Sequence, residues 1–172
     1  MKWRKDEFWL SDESSAVDTA AVHRLLSTTY WASSRPKERT ERAIGHSICF
    51  SLKFDDEQIG FARVLSDDGC YAIVVDVVID TRFQRRGLGR WLLSSISSYP
   101  RFDGMVLILW TTDQVDFYKA CGLDHEEEFQ VVRRAPHWMN KPPNKAPEPT
   151  TGAVTPRAPS STSRASPGRG SS

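Results

Sequence analysis

The loop at positions 84–89 has the residue types and the spacing that bind a diphosphate. It consists of Gln84, Arg85, Arg86, Gly87, Leu88 and Gly89. The loop follows an apolar run at 74–79 and precedes a segment of helical periodicity, so a helix is expected to begin inside it. The unpaired N–H groups and the positive dipole end of that first turn attract an anion. The glycines let a phosphate approach the main chain, and the arginines add positive charge.

Three known phosphate-binding loops can be compared with this pattern. A P-loop is excluded because no Gly-Lys-Ser/Thr ends the segment, and a dinucleotide fingerprint lacks its third glycine because Leu92 stands there. The pattern Q/R-x-x-G-x-G/A fits, with Gln84, Gly87 and Gly89 at its fixed positions. In this loop the chain resembles the GNAT superfamily of N-acetyltransferases, which bind acetyl-coenzyme A through it. The loop by itself leaves one alternative to a binding site open: a strand-to-helix turn in which glycine only relieves crowding at the start of the helix.

Segments on both sides of the loop resemble the same family, in the same order. Asp76–Ile79 is similar to the D-x-x-V-like segment that precedes the loop, and an amphipathic helix follows. The apolar run Met105–Trp110 comes next, and Phe117–Leu123 matches the family's F-Y-x-x-x-G-F/L segment. The resemblance extends from roughly residue 8 to residue 134 and is densest at 58–123. Two motifs at this separation are far more specific than either one.

The order of elements predicts an α+β fold with a mixed, mostly antiparallel central sheet flanked by helices. Periodicity and turn residues predict strands at 8–10, 48–54, 58–65, 71–79 and 105–110 with a last β segment at 129–132, and helices at 17–28, 36–45, about 88–97 and up to about 121. Three consecutive strands joined by tight turns argue against a dinucleotide domain, in which strands and helices alternate. The resemblance implies a sheet that opens between the strands at 71–79 and 105–110, where the pantetheine arm bonds to the backbone of Val77, Val78 and Ile79.

Two side chains are predicted to act in the transfer itself. Acetyl transfer from a thioester to an amine needs a neutral amine and a stabilised thiolate. Tyr118 is the proposed proton donor to the thiolate, with ordinary packing before Gly122 as the alternative. Asp76, a carboxylate inside an apolar strand, either binds the substrate ammonium and accepts its proton or pairs with an arginine such as Arg63.

Further binding residues follow from the resemblance. Thr111 stands where many relatives have an asparagine, and it is expected to contact the cofactor's pantetheine arm. Tyr30 and Trp31 lie in the region that forms the acceptor-side wall in relatives, with a purely structural role as the alternative. No metal is expected, because the three cysteines and the histidines have no zinc-ligand spacing.

Composition divides the chain into an N-acetyltransferase domain at 6–140 and a tail at 141–172 rich in Pro, Ser, Thr and Arg, which is predicted to be disordered. The tail has five basic residues and one acidic residue, a net charge of +4, so the rest of the +1 chain carries −3. The three arginines of the tail offer weak contacts to nucleic acid, but a passive solvated extension is the favoured interpretation, so no nucleic-acid partner is expected. No signal peptide or membrane-spanning run is seen, so a cytoplasmic location is expected, for a monomer or a homodimer.

The resemblance implies an enzyme that transfers an acetyl group from acetyl-coenzyme A to a primary amine of a small molecule or peptide, by direct attack in a ternary complex. The alternative is a non-catalytic coenzyme A-binding sensor or interaction module, because the family's asparagine is missing at Thr111.

Overall fold

A computed structural model of the chain describes residues 1–126. The predicted β segment at 129–132, the end of the predicted domain at 140 and the predicted tail at 141–172 lie outside the described residues.

The described residues form six strands and four α-helices. In chain order they are β1 Lys2–Lys5, β2 Phe8–Ser11, α1 Thr19–Ser27, α2 Lys37–Gly45, β3 Ile48–Phe54, β4 Glu57–Ser66, β5 Tyr71–Ile79, α3 Leu88–Ser97, β6 Val106–Ile108 and α4 Val115–Lys119. The strands make one sheet in the order β1-β2-β3-β4-β5-β6, antiparallel except for the parallel pair β5–β6. The prediction of a mixed, mostly antiparallel sheet with flanking helices is confirmed.

Aspartates make the tight turns that join the central antiparallel strands. Asp55 and Asp68 adopt left-handed backbone angles, with φ of 50° and 57°. Aspartate tolerates this region better than most residues because its short side chain bonds locally. Asp67 illustrates this: its Oδ1 accepts hydrogen bonds from the N–H groups of Gly69, Cys70 and Tyr71 between β4 and β5.

Alternate residues of the strands pack against helices on the two faces of the sheet. On one face, α1 buries Val22, Leu25 and Leu26 in a cluster that includes Phe61 of β4. On the other face, α3 and α4 pack on a larger cluster, whose buried members include Phe50, Leu52, Val64, Val74, Leu92, Leu93 and Ile96. The sheet is therefore covered by helices on both faces.

The N-terminal part differs most from the prediction. β1 was not predicted, and it forms an antiparallel hairpin with β2 in which Lys5 lies opposite Phe8. Helix α1 begins at Thr19, later than the predicted start, because the Asp18 side chain accepts a hydrogen bond from the N–H of Ala21 and fixes the first turn there. Strand β6 is shorter than the predicted 105–110, because it pairs with β5 over three residues only.

Candidate active site

The sheet opens between β5 and β6. Tyr71–Ile73 pairs with Val106–Ile108, and no later residue of β5 pairs with a described residue of β6. The register between β4 and β5 also shifts between Phe61 and Arg63, where β5 contains an extra residue and Asp76 has a φ of 57°. A bulge of this kind bends a strand and increases its twist. The backbone edge of Val77, Val78 and Ile79 therefore has no partner in the described part of β6, and the contact of a pantetheine arm with it stays a prediction.

The predicted diphosphate loop lies where β5 ends and α3 begins. Gln84 Nε2 donates a 3.0 Å hydrogen bond to the Ile79 carbonyl, which fixes the start of the loop to the end of β5. Arg85 and Gly87 have left-handed φ values of 61° and 75°. Gly87 precedes the first residue of α3, Leu88, and no described side chain caps this end of the helix. The first N–H groups of α3 are therefore free to bind an anion.

Gly89 allows α4 to approach this loop. A Cβ built on Gly89 would lie 3.2 Å from Phe117 Cζ and 3.9 Å from Ile79 Cγ1. The first distance is tighter than an ordinary contact, so a larger residue would push α4 away from the start of α3. Gly89 thus has a packing role that its motif position alone did not indicate.

Tyr118 lies beside this contact, with its ring centroid 5.2 Å from that of Phe117. The side chain is half-buried. Burial raises the pKa of Tyr118, and the nearby Cys121, Asp113 and Tyr30 raise it further. The phenol therefore keeps its proton at neutral pH, as a hydrogen-bond donor to a thiolate must.

Tyr30 links the segment between α1 and α2 to the segment between β6 and α4. Its hydroxyl is 2.5 Å from Thr112 Oγ1 and donates to Asp113 Oδ1 at 3.4 Å. Tyr30 is 54% exposed, whereas Trp31 packs against the buried cluster below α1. The structure thus brings Tyr30 close to Tyr118 and Asp113, whereas the substrate-binding roles of Tyr30 and Trp31 stay predictions.

Asp76 is held between two arginines. Arg35 Nη1 and Nη2 donate to Asp76 Oδ2 and Oδ1 at 2.6 and 2.9 Å, and Arg63 Nε donates to Oδ2 at 2.6 Å. Burial alone would raise the pKa of Asp76, but the hydrogen bonds and charges of Arg35 and Arg63 outweigh it and hold the pKa below its usual value. The pairing with Arg63, which the sequence left open, is present. A carboxylate held in this way is a poor proton acceptor.

Arg35 was not among the residues predicted for the site. A carboxylate inside an apolar strand indicates that a counter-charge is nearby, but its identity depends on how the segment between α1 and α2 folds over β5. The guanidinium also faces the Trp31 ring, with 5.8 Å between Arg35 Cζ and the ring centroid. Arg35 therefore fixes this segment against the bulge in β5.

Thr111 organises the turn before α4. Its Oγ1 accepts hydrogen bonds from the N–H groups of Gln114 at 3.0 Å and Asp113 at 3.4 Å. The contact predicted between Thr111 and the pantetheine arm stays a prediction. Within residues 1–126, no group of three or more His, Cys, Asp or Glu side chains is arranged to hold a metal ion. In the same part of the chain no helix is long and apolar enough to cross a membrane.

Comparison with known proteins assigns this arrangement to a family. Residues 45–122 match the family model of the acetyltransferase (GNAT) domain. A protein from Gibberella zeae that is named as an acetyltransferase is 25% identical, over 76% of this chain and 87% of its own. The structure of a GNAT acetyltransferase from Elizabethkingia anophelis with acetyl-CoA bound has the same fold, with a TM-score of 0.54, 17% identity, and coverage of 67% of this chain and 75% of its own.

A solved structure supplies stronger support. A protein from Xanthomonas campestris pv. campestris that is assigned to the GNAT acetyltransferases superimposes with a TM-score of 0.71 and 30% identity, over 77% of this chain and 96% of its own. The resemblance seen in the diphosphate loop thus extends over nearly the whole of that relative. The chain belongs to the GNAT superfamily, and it is an acetyltransferase.

Proposed function

We propose that the protein transfers the acetyl group of acetyl-coenzyme A to a primary amine of a small molecule or peptide, by direct attack of the amine in a ternary complex. The observation that carries the proposal is the opening between β5 and β6 with the diphosphate loop at its end and Tyr118 beside it. An edge of free backbone suits the amide groups of a pantetheine arm, and the uncapped start of α3 suits a diphosphate.

The residues present fit acetyl-coenzyme A. Among the atoms of residues 1–126, a Cβ built on Gly87 would meet only Lys5 Nζ within 4 Å, so this part of the chain leaves the main chain there open to a phosphate. Arg85 and Arg86 are exposed at the rim of the loop, where they complement negative charge. When bound, acetyl-coenzyme A supplies an acetyl group activated as a thioester. The chain's own residues must orient it and stabilise the departing thiolate.

Tyr118 is proposed to donate a hydrogen bond to the thiolate sulfur. An ordinary thiol has a pKa of about 8.5, whereas a phenol starts at about 10, and burial raises the pKa of Tyr118 further. Complete proton transfer from Tyr118 to the sulfur is therefore uphill, and the stabilisation comes from the hydrogen bond itself. The proton that ends on the thiol comes from the amine or from solvent.

The acceptor amine is proposed to bind between the Tyr30 segment and α4. Asp113 has an exposed carboxylate there, in contact with the Tyr30 hydroxyl and close enough to raise the pKa of Tyr118. It is better placed than Asp76 to hold a substrate ammonium, because both oxygens of Asp76 are engaged by Arg35 and Arg63. We therefore assign Asp76 a positioning role in the proposed reaction.

The experiment measures thiol release from acetyl-coenzyme A in the presence of polyamines, amino acids, aminoglycosides and peptides with a free N-terminus. Turnover with one of these classes, together with micromolar binding of acetyl-coenzyme A by calorimetry, is the expected result. A two-substrate kinetic series with intersecting lines supports the ternary complex, and parallel lines would contradict it. Binding without turnover on any amine would favour the non-catalytic module.

A further inference from the structure

The hairpin β1–β2 places one lysine against the diphosphate loop. Lys5 is the last residue of β1, and it lies opposite Phe8 across the turn. Its Nζ is 3.5 Å from the position that a Cβ on Gly87 would occupy. The ammonium group therefore lies beside the part of the loop where a phosphate is expected to approach the main chain. None of the family's motifs includes this residue, because β1 precedes the first matched segment.

A cluster of aromatic rings holds the hairpin in this place. The ring centroid of Phe8 is 6.3 Å from that of Phe83, and the two rings meet edge to face. Phe54 contacts both, with centroid distances of 5.6 Å to Phe8 and 5.5 Å to Phe83. Phe83 directly precedes Gln84, so Phe8, the residue paired with Lys5, packs on the residue just before the loop. The strand partner of Lys5 is thus held next to the loop by aromatic contacts.

The charge of Lys5 is not balanced by a described carboxylate. Within residues 1–126, Lys5 forms no ion pair, whereas Lys2 on the same strand pairs with Glu13 at 3.2 Å. Arg82, just before the loop, is also neutralised, because it bonds to Glu57 and Asp80. The ammonium of a half-buried lysine next to uncapped backbone N–H groups makes a site for an anion with two kinds of donor.

We propose that Lys5 binds the diphosphate of the co-substrate, with its ammonium donating to a phosphate oxygen that the loop's N–H groups also hold. The inference rests on the proposed function, because it takes acetyl-coenzyme A as the ligand. It adds a ligand from the N-terminal hairpin to a site otherwise built by β5 and α3. The shared chemistry is a diphosphate, so the 3′-phosphate of coenzyme A must be separated from it by experiment.

The test measures the Kd of coenzyme A and of 3′-dephospho-coenzyme A by calorimetry for four proteins: the unaltered chain, Lys5→Met, Lys5→Arg and Lys2→Met. Loss of one charge-assisted hydrogen bond at a partly exposed site is expected to weaken both ligands about tenfold in Lys5→Met. Lys5→Arg should retain most of the affinity. Lys2→Met carries the same change in net charge on the same strand, and its Kd should match that of the unaltered chain.

Each of the other possible results would contradict a different part of the proposal. If Lys5→Met and Lys2→Met weakened coenzyme A binding equally, the effect would be one of long-range charge. The proposed contact between Lys5 and the diphosphate would then be overturned. A tenfold effect on coenzyme A that vanishes with 3′-dephospho-coenzyme A would assign Lys5 to the 3′-phosphate and overturn the diphosphate assignment. An unchanged Kd in folded Lys5→Met, with normal binding by the unaltered chain, would overturn the role of Lys5 alone. Failure of the unaltered chain to bind coenzyme A would overturn the proposed function, and this assignment with it.

Discussion

Gly87→Glu is the sharpest test of the diphosphate loop. Gly87 has a φ of 75°, so any side chain there carries the cost of a left-handed residue, about 1–2 kcal/mol of folding free energy. No severe clash adds to this cost, because the nearest atom to the new Cβ is Lys5 Nζ at 3.5 Å. The new carboxylate would itself lie in the anion site, near Lys5 and the N–H groups of α3. The fold should therefore survive while the ligand is excluded.

The expected loss of binding is large. Two unit charges about 4 Å apart interact with about 4 kcal/mol at an effective dielectric constant near 20. Solvent and salt reduce this repulsion at an exposed loop, so we take about 3 kcal/mol, which corresponds to a rise in Kd of about 100-fold. The steric exclusion of the diphosphate by the new side chain acts in the same direction.

Gly104→Glu is the matched control. Gly104 has a φ of 73° and no atom within 4 Å of a built Cβ, so the substitution has the same backbone cost and the same added charge. Gly104 precedes β6 beside Tyr71, at the opposite end of β5 from the loop. Calorimetry and thermal unfolding of both variants are the assays. If the two variants lost equal stability and bound acetyl-coenzyme A with equal Kd, the loop would not be the diphosphate site.

Three further outcomes are expected. Tyr118→Phe removes the hydrogen bond proposed for the thiolate, which is worth about 1.5–3 kcal/mol to a charged acceptor, so kcat should fall about 10- to 100-fold with little change in KM; equal kcat values would make Tyr118 a packing residue. The low folded-state pKa of Asp76 contributes stability that is present above the ordinary carboxyl pKa of about 3.9 and is lost as pH falls through the lower folded value. Urea unfolding should therefore show a gap between the unaltered chain and Asp76→Asn at pH 7 that narrows below about pH 4, and a constant gap would contradict the ionic role. Truncation after Asn140 should leave the melting temperature and the transfer rate unchanged, because the removed segment has almost no large apolar residues; a fall in either would show that the segment contributes.

The sequence predicted the strands, the helix and the loop of the site better than the contacts between residues that are distant along the chain. Local signals located the central strands, α3 and the loop, because alternation, turn aspartates and glycine spacing act over a few residues. Strand β1 was not predicted, because a pattern of four basic and aromatic residues does not distinguish an edge strand from a loop. The pairing of Arg35 with Asp76 joins residues 41 positions apart, and no local pattern indicates such a contact. Lys5 and Gly87 are likewise far apart in the sequence, and no local pattern indicates that they lie close together.

Asp76 combines two features beside the opening in the sheet, namely the left-handed backbone of the bulge in β5 and a buried carboxylate. Asp76 has a left-handed φ of 57° in the bulge of β5, and aspartate is among the few residues other than glycine that accept this conformation. The same residue is 8% exposed, so its carboxylate needs the charges of Arg35 and Arg63. Arg35 in turn fixes the segment between α1 and α2, which contains Tyr30, against β5. The backbone conformation of the bulge in β5 and the ion pairs with Arg35 and Arg63 are therefore coupled through Asp76, which gives this buried charge a structural reason that does not depend on the proposed reaction.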